Sequence, residues 1–317
     1  MKIIFFGSAH FAVPALEALI KSSHELVCVV TQPDKKKGRH LHVSGTDVKS
    51  TAVAAKLKTF QPENIKAKES VNFLKNLDAD LFVIVAYGQM FSREVLDIPK
   101  IMPINIHASL LPRYRGAAPI NWAIINAEKK TGVSIMYVSL KMDSGPVILQ
   151  KEIKIEENDT AVSLEEKLSD LGAELLMDAL KIIDSRNYRL LEQDEEKVIL
   201  APKLKKEDGL IDWNASAVDI YNQVRGVLPW PGAFTGYRGK ILKIFQADIL
   251  PVFPNHKPMP GEVVRADKHG IVVACGRGFL NLKELQLEAG KRMSAQNFII
   301  GHKLKAGDTL VSSRVRH

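Results

Sequence analysis

The residues best suited to chemistry in this 317-residue chain fall between positions 100 and 146. The apolar run Ile101 to Ile106 leads into Asn105-Ile106-His107-Ala108-Ser109. Side chains alternate along a strand, so Asn105 and His107 belong on the same side. In an open parallel sheet, ligands bind beyond the carboxyl ends of the strands. An amide donor and a titratable imidazole are therefore expected at a catalytic edge. Asp143 lies in Lys141-Met142-Asp143-Ser144-Gly145-Pro146, a turn between two strand-like segments, from which a carboxylate can reach back to the imidazole.

An amide, an imidazole and a carboxylate suit acyl transfer to an amine. The amine attacks a carbonyl carbon and the carbonyl oxygen becomes an oxyanion. A hydrogen bond from Asn105 to that oxygen is worth ~3 kcal/mol of barrier. A protonated His107 is a second donor, and Asp143 would hold it charged and help to pass protons from the attacking amine to the leaving nitrogen. This route needs no covalent intermediate, and no serine sits in a nucleophile-elbow pattern. Spacing alone leaves plainer readings open: a histidine after a strand is commonly a satisfied polar residue, and Asp-Ser-Gly is an ordinary turn.

The elements that must position these groups are readable from periodicity. Ile3 to Phe6, Leu26 to Thr31, Leu81 to Ala86 and Ile101 to Ile106 are continuous apolar runs, which suits strands covered on both faces. Val13 to Ile20 and Asp47 to Leu57 read as helices between them, and Val133 to Val138 and Val147 to Ile155 as later strands. From Thr160 to Asp184, Leu164, Leu168, Leu171, Leu175, Ala179 and Ile182 recur at helical steps. The alternation implies a Rossmann-like, mostly parallel α/β sheet. After residue 209, short strand candidates at 240–245, 261–265, 271–274 and 280–285 are broken by Gly and Pro, which points to a small OB-like β-barrel. The expected division is a catalytic domain over 1–189, a charged linker over 190–207 and a basic barrel over 208–317.

Composition narrows the class. The net charge is +8, yet residues 1–200 hold 26 Lys/Arg and 26 Asp/Glu; the excess lies in residues 201–317, with 18 and 10. A basic module beside a neutral catalytic domain fits a polyanionic partner, or equally a solubilising surface. Cys28 and Cys275 have apolar neighbours and no metal-ligand spacing, so no metal is expected and both read as buried thiols of a reducing cytoplasm. No apolar run approaches the ~20 residues of a membrane span. Gly7-Ser8-Ala9-His10-Phe11 follows a strand as in dinucleotide-binding units, but it lacks their glycine spacing, and no phosphate-binding P-loop occurs.

Several motifs, in order, carry a resemblance: Phe6-Gly7-Ser8 with Phe11-Ala12-Val13-Pro14, Thr31-Gln32-Pro33-Asp34, Ala86-Tyr87-Gly88, the long stretch Asn105 to Ile120, Asp143-Ser144-Gly145, and Pro229-Trp230-Pro231-Gly232-Ala233. Together they resemble the methionyl-tRNA formyltransferase family over nearly the whole chain. The resemblance implies 10-formyltetrahydrofolate, a reduced folate, as formyl donor and initiator methionyl-tRNA as acceptor. It makes Asn105, His107 and Asp143 catalytic, lines the folate site with Ser109, Leu110, Leu111 and Pro112, and sets the backbone of Tyr87 and Gly88 against the pterin. It also assigns the segment 34–49 to the tRNA acceptor stem through Lys35, Lys36, Lys37 and Arg39. Arg39 stands at the family's functional arginine, although the three lysines before Gly38 depart from the usual pattern, as does Gln89-Met90-Phe91 near the folate. The expected protein is a cytoplasmic monomer. The rival expectations are a folate-dependent formyltransferase acting on a sugar-nucleotide amine or on glycinamide ribonucleotide, a formyl-folate hydrolase, and a tRNA-binding module without catalysis.

Overall fold

The computed structural model describes residues 1–37, 42–250 and 258–312, and the chain divides into two compact units. The first comprises Met1–Pro119, Lys130–Lys154 and Glu165–Ala201; the second comprises Ile120–Lys129, Ile155–Leu164 and Pro202–His317.

The first unit is built on a seven-stranded sheet. Its strands are β1 (Lys2–Gly7), β2 (Glu25–Val30), β5 (Thr59–Phe60), β6 (Leu81–Val85), β7 (Met102–His107), β9 (Lys130–Tyr137) and β10 (Val147–Lys154), in the order β10-β9-β7-β6-β1-β2-β5. The five strands from β5 to β7 run parallel; β9 is added antiparallel on the β7 edge, and β10 antiparallel on β9. Every residue of β6 is buried, as a continuous Leu-Phe-Val-Ile-Val run requires when both sheet faces are covered. Helices α1 (Val13–Ile20), α2 (Asp47–Ala54), α3 (Lys68–Lys75) and α4 (Arg93–Leu96) separate the parallel strands. Between β2 and α2, β3 (Lys35–Lys37) and β4 (His42–Ser44) pair as an antiparallel hairpin, with Lys35 opposite Ser44. The long helix α6 (Ala161–Asp184) buries Leu168, Leu171, Leu175 and Ala179 as its periodicity requires, and its buried stripe closes with Ile183 rather than Ile182.

The charged stretch after α6 is tied to this unit at both ends. Leu191 exchanges two backbone hydrogen bonds with Val147, at 2.8 and 2.9 Å. The short strand β11 (Leu200–Ala201) then pairs in parallel with β8 (Arg115–Gly116). Gly116 sits at φ +130°, and a Cβ there would run into the Ala201 carbonyl oxygen, so this close approach requires glycine.

The second unit is an antiparallel sheet in the order β12-β13-β16-β15-β14: β12 (Ala233–Tyr237), β13 (Lys240–Leu250), β14 (Val263–Asp267), β15 (Gly270–Ala274) and β16 (Phe279–Leu287), with β17 (Met293–Ser294) added to β16. Residues 309–311 bridge its two edges. Val311 exchanges backbone hydrogen bonds with Gly236 of β12, and the Leu310 N–H donates to Gly261, just before β14, at 2.8 Å. The sheet is thereby closed into a barrel, the arrangement that removes exposed strand edges. Trp213, Leu242, Ile244, Val263, Ile271, Val273, Leu280, Leu282 and Phe298 fill its core. The buried Trp213 indole donates to Thr235 Oγ1 at 2.9 Å, which satisfies its one polar atom. Tyr237 is also in this core, whereas Trp230 is more than half exposed.

Two segments from well before the barrel in sequence, Ile120–Lys129 and Ile155–Leu164, belong to the second unit. Both meet the helix α7 (Ala217–Gly226), whose N-terminus Ser216 caps. Asn121 of α5 (Pro119–Ile125) donates to the Gly226 carbonyl at 2.8 Å, and Ile125 packs on the barrel core. The buried Arg225 guanidinium donates to the Asp159 carbonyl at 2.7 Å and to Asn222 Oδ1 at 2.8 and 3.0 Å. A buried charge of this kind is tolerated only with such partners.

Candidate active site

Strand β7 ends at His107, on the sheet edge where a parallel α/β fold exposes its ligands. The imidazole is nearly enclosed, at 6% exposure. Its Nε2 lies 2.9 Å from the Tyr114 carbonyl oxygen. A carbonyl can only accept, so Nε2 carries a proton and donates it. The other ring nitrogen, Nδ1, faces Asp143 Oδ2 at 3.8 Å. That carboxylate oxygen also accepts the backbone N–H of Gly116 at 2.9 Å. The turn after β9 thus returns Asp143 to the strand that carries His107. Asp143 itself has φ +49°, a left-handed conformation that a non-glycine residue adopts at some cost. Two residues on, Gly145 passes so close to the Tyr137 carbonyl oxygen that a Cβ would collide with it.

Asn105 stands two residues before His107 on the same strand and is partly exposed. It is in register with Ile84 of β6 on one side and Met136 of β9 on the other. Alternation along the strand puts its amide on the His107 side. The amide makes no hydrogen bond among the described residues, which leaves both its donor and its acceptor for a bound molecule.

The residues expected to line a folate site are held stiffly. The Ser109 hydroxyl donates to the Arg113 carbonyl at 2.6 Å, closing the 109–113 loop on itself. Ser134 of β9 donates to the Ser109 carbonyl at 2.6 Å and accepts the Leu111 N–H at 3.1 Å, while Gln150 of β10 donates to the Leu111 carbonyl at 2.9 Å. Leu111 is buried, and Leu110 and Pro112 are partly exposed. Tyr87 follows β6, with its ring packed against Phe6 and Phe91 and its hydroxyl buried without a hydrogen-bond partner. Burial pushes the ionisation of that hydroxyl upward. The Tyr87 carbonyl accepts from Ser8 Oγ at 3.0 Å and from Gln32 Nε2 at 3.3 Å, so the ends of β1, β2 and β6 meet at one oxygen. Gly88, at φ +89°, is exposed beside this junction.

Of the basic residues expected to face a nucleic acid, Lys35 is exposed at the start of β3, with Lys36 and Lys37 following in the strand. Arg39 lies outside the described residues. The base of this hairpin is staked down: Asp34 pairs with Lys49 at 2.6 Å and accepts from Gln61 at 2.7 Å. Hydrogen bonds from Lys49 and Gln61 hold the Asp34 carboxyl below the usual carboxylate range.

Four residues that shape this site carry no site role in the sequence alone: Tyr114 and Gly116, which lie in the recognised 105–120 stretch but act through backbone atoms, and the side chains of Ser134 and Gln193. The Gln193 amide donates to the carbonyls of Asp143 at 2.9 Å and Gly145 at 2.7 Å, and accepts from Arg115 Nε at 2.9 Å. Backbone groups leave no side-chain signature in a sequence, and Gln193 lies in a charged run that reads as solvated surface. Elsewhere, burial pushes the Cys28 thiol up to about 11 and Cys275 up to about 12, which suits inert core positions. Among the described residues, no three His, Cys, Asp or Glu side chains are placed to hold a metal ion, and no helix is long and apolar enough to cross a membrane.

Comparison with known proteins decides what this arrangement belongs to. Residues 1–180 match the formyl transferase family, and residues 203–303 match the formyl transferase C-terminal domain. The methionyl-tRNA formyltransferase of Acetivibrio thermocellus is 44% identical over 310 residues, covering 98% of this chain and 99% of that protein. The methionyl-tRNA formyltransferase of Alkaliphilus oremlandii is 42% identical over 310 residues, with 98% and 99% covered. The chain belongs to the methionyl-tRNA formyltransferase family. Its fold is shared more widely among formyltransferases. A Helicobacter canadensis N-formyltransferase, solved with folinic acid and dTDP-3-aminofucose, superposes with a TM-score of 0.67 at 18% identity, covering 92% of this chain and all of that one. Family membership gives the mostly parallel sheet and the barrel of this chain the frame of a formyl-transferring enzyme.

Proposed function

We propose that this chain transfers the formyl group of 10-formyltetrahydrofolate to the amino group of initiator methionyl-tRNA, giving N-formylmethionyl-tRNA for translation initiation. The reading rests on family membership at 44% identity across 98% of the chain. The single geometric observation that carries it is His107 set against Asp143 at the end of β7, two residues beyond the unengaged amide of Asn105. The methionyl nitrogen attacks the formyl carbon. Asn105 donates to the oxygen that becomes negative, a contact that strengthens as charge develops. The new C–N bond forms, the bond from the formyl carbon to the folate nitrogen breaks, and one proton passes from the attacking amine to the leaving nitrogen. With Nε2–H committed to Tyr114, His107 relays this proton through Nδ1, where Asp143 meets the positive charge.

Ser109, Leu110, Leu111 and Pro112, with the backbone of Tyr87 and Gly88, form the wall against which the folate lies. The rigidity given to 109–112 by Ser134 and Gln150 favours a preorganised site. Lys35, Lys36, Lys37 and Arg39 contact phosphates of the acceptor stem, and the basic region 208–317 adds a second tRNA contact to the catalytic region 1–189. The enzyme works as a cytoplasmic monomer.

The decisive experiment offers charged initiator tRNA and a sugar-nucleotide amine in parallel, each with 10-formyltetrahydrofolate. Formylation of the tRNA alone supports the reading; formylation of the sugar nucleotide alone, or release of formate with neither acceptor modified, defeats it.

A further inference from the structure

The candidate site leaves one well-placed side chain without a role. Gln193 belongs to the charged segment that runs from its pairing with Val147 at Leu191 to its pairing with β8 at Leu200. Both its amide nitrogen and its amide oxygen are engaged at the active-site end of the sheet. Nε2 donates to the carbonyls of Asp143 and Gly145, and Oε1 accepts from Arg115 Nε. The reverse orientation would aim an oxygen at two carbonyls and an N–H at an N–H, so the partners settle which way the amide points.

We infer that Gln193 is a positioning residue that sets the Asp143 carboxylate against His107. The bonds form a closed circuit. Asp143 Oδ2 accepts from the Gly116 N–H. Gly116 follows Arg115, whose buried guanidinium donates to Gln193. Gln193 in turn holds the Asp143 main chain. One arm of the circuit fixes the carboxylate and the other fixes the backbone from which it springs. Both are needed because Asp143 sits at φ +49°, a conformation that persists only where its surroundings over-determine it. An outer ring supports the same turn: the Arg115 guanidinium lies 2.9 Å from Glu195, which pairs in turn with Lys141, two residues before Asp143, at 3.1 Å. Among the described residues Gln193 makes no hydrogen bond to His107 or Asn105; it holds the Asp143 turn, directly through the carbonyls of Asp143 and Gly145 and indirectly through Arg115.

The inference builds on the proposed chemical role of Asp143. Its test is single-turnover formyl transfer with saturating 10-formyltetrahydrofolate and methionyl-tRNA, using Gln193→Ala, Gln193→Glu, Asp143→Asn and the double variants. Gln193→Glu keeps the contact with Arg115 but replaces both donations to the turn with repulsion. Misplacing a reacting group by about 1 Å costs up to ~100-fold in rate. Both Gln193 variants should therefore lose roughly ten- to a hundredfold in the transfer rate, with KM for folate and tRNA unchanged and melting temperature close to that of the parent. In the Asp143→Asn background the same substitutions should cost almost nothing, since contacts along one line of action are not additive. Parental rates in both Gln193 variants would overturn the inference while leaving the role of Asp143 standing. So would equal losses in the parental and Asp143→Asn backgrounds, or a rise in KM alone. A fully active Asp143→Asn enzyme would remove the reading of the site and this inference together.

Discussion

The backbone N–H of Gly116 donates at 2.9 Å to the same Asp143 oxygen that faces His107. A neutral asparagine in that place can still accept this hydrogen bond through its amide oxygen, so Asp143→Asn removes charge with little change of shape. We expect it to fold like the parent and to lose about 10²–10⁴-fold in formyl transfer, the range typical of proton-transfer assistance. Circular dichroism and single-turnover rates check both halves; a rate within a few-fold of the parent would deny the carboxylate its part.

Asn105 presents an amide with no partner among the described residues, on the strand that carries His107. Asn105→Ala should cut the transfer rate by about 10²–10³-fold, the value of one preorganised donor to an oxyanion. KM for both substrates should hardly move, because the interaction strengthens only as charge develops. A rise in KM with the transfer rate unchanged would place Asn105 in ordinary substrate binding.

The strand that begins at Lys35 follows directly on Asp34, which is held by its pair with Lys49. Replacing Lys35, Lys36, Lys37 and Arg39 with serine should weaken tRNA binding and shallow its dependence on salt, by about 0.7–0.9 in logarithmic slope for each phosphate no longer neutralised. Binding titrations across roughly 50 to 300 mM salt measure this. An unaltered slope would mean that the hairpin meets no phosphate.

Cys28 and Cys275 are buried, and burial raises their thiols from 9.0 to about 11 and about 12. The folded state thus prefers the protonated thiols. The stability tied to them is complete below pH 9, where unfolded thiols are also protonated, and drains away as pH climbs towards 11–12. Chemical denaturation at pH 8 and pH 10 should show a fall that shrinks in the Cys28→Ala, Cys275→Ala double variant. At neutral pH the native thiols should react slowly with a disulfide reagent; rapid labelling of either one would contradict its burial.

Much of this architecture could be read from apolar runs. The strands over Ile3 to Phe6 and Leu81 to Val85 are continuous hydrophobic stretches and cannot be mistaken. Helix α3 was harder, because Lys68, Glu69, Asn72 and Lys75 dominate its eight residues and only Val71 and Leu74 mark its buried apolar face. Strand β12 was harder still, since Ala-Phe-Thr-Gly-Tyr carries no apolar alternation although all five residues are buried. At the site, the turn bearing Asp143 joins two recognisable strands, β9 and β10, the first of which pairs with β7, so its return towards His107 follows from topology. The clamp by Gln193 does not follow: it comes from a residue 50 positions away in sequence and acts through carbonyl groups that every residue possesses. The allocation of residues 120–129 and 155–164 to the barrel unit had no local signal either, because it is decided by what packs on α7.

That allocation bears on how such enzymes could be recombined. A chimera spliced near residue 202, joining the front of this protein to the barrel of a relative, would be cut along the chain but not along the packing. The donor barrel would meet foreign versions of Asn121 and of the loop around Asp159, with a buried arginine on its own helix waiting for partners left behind. Successful grafts should be those that transplant three pieces of sequence together.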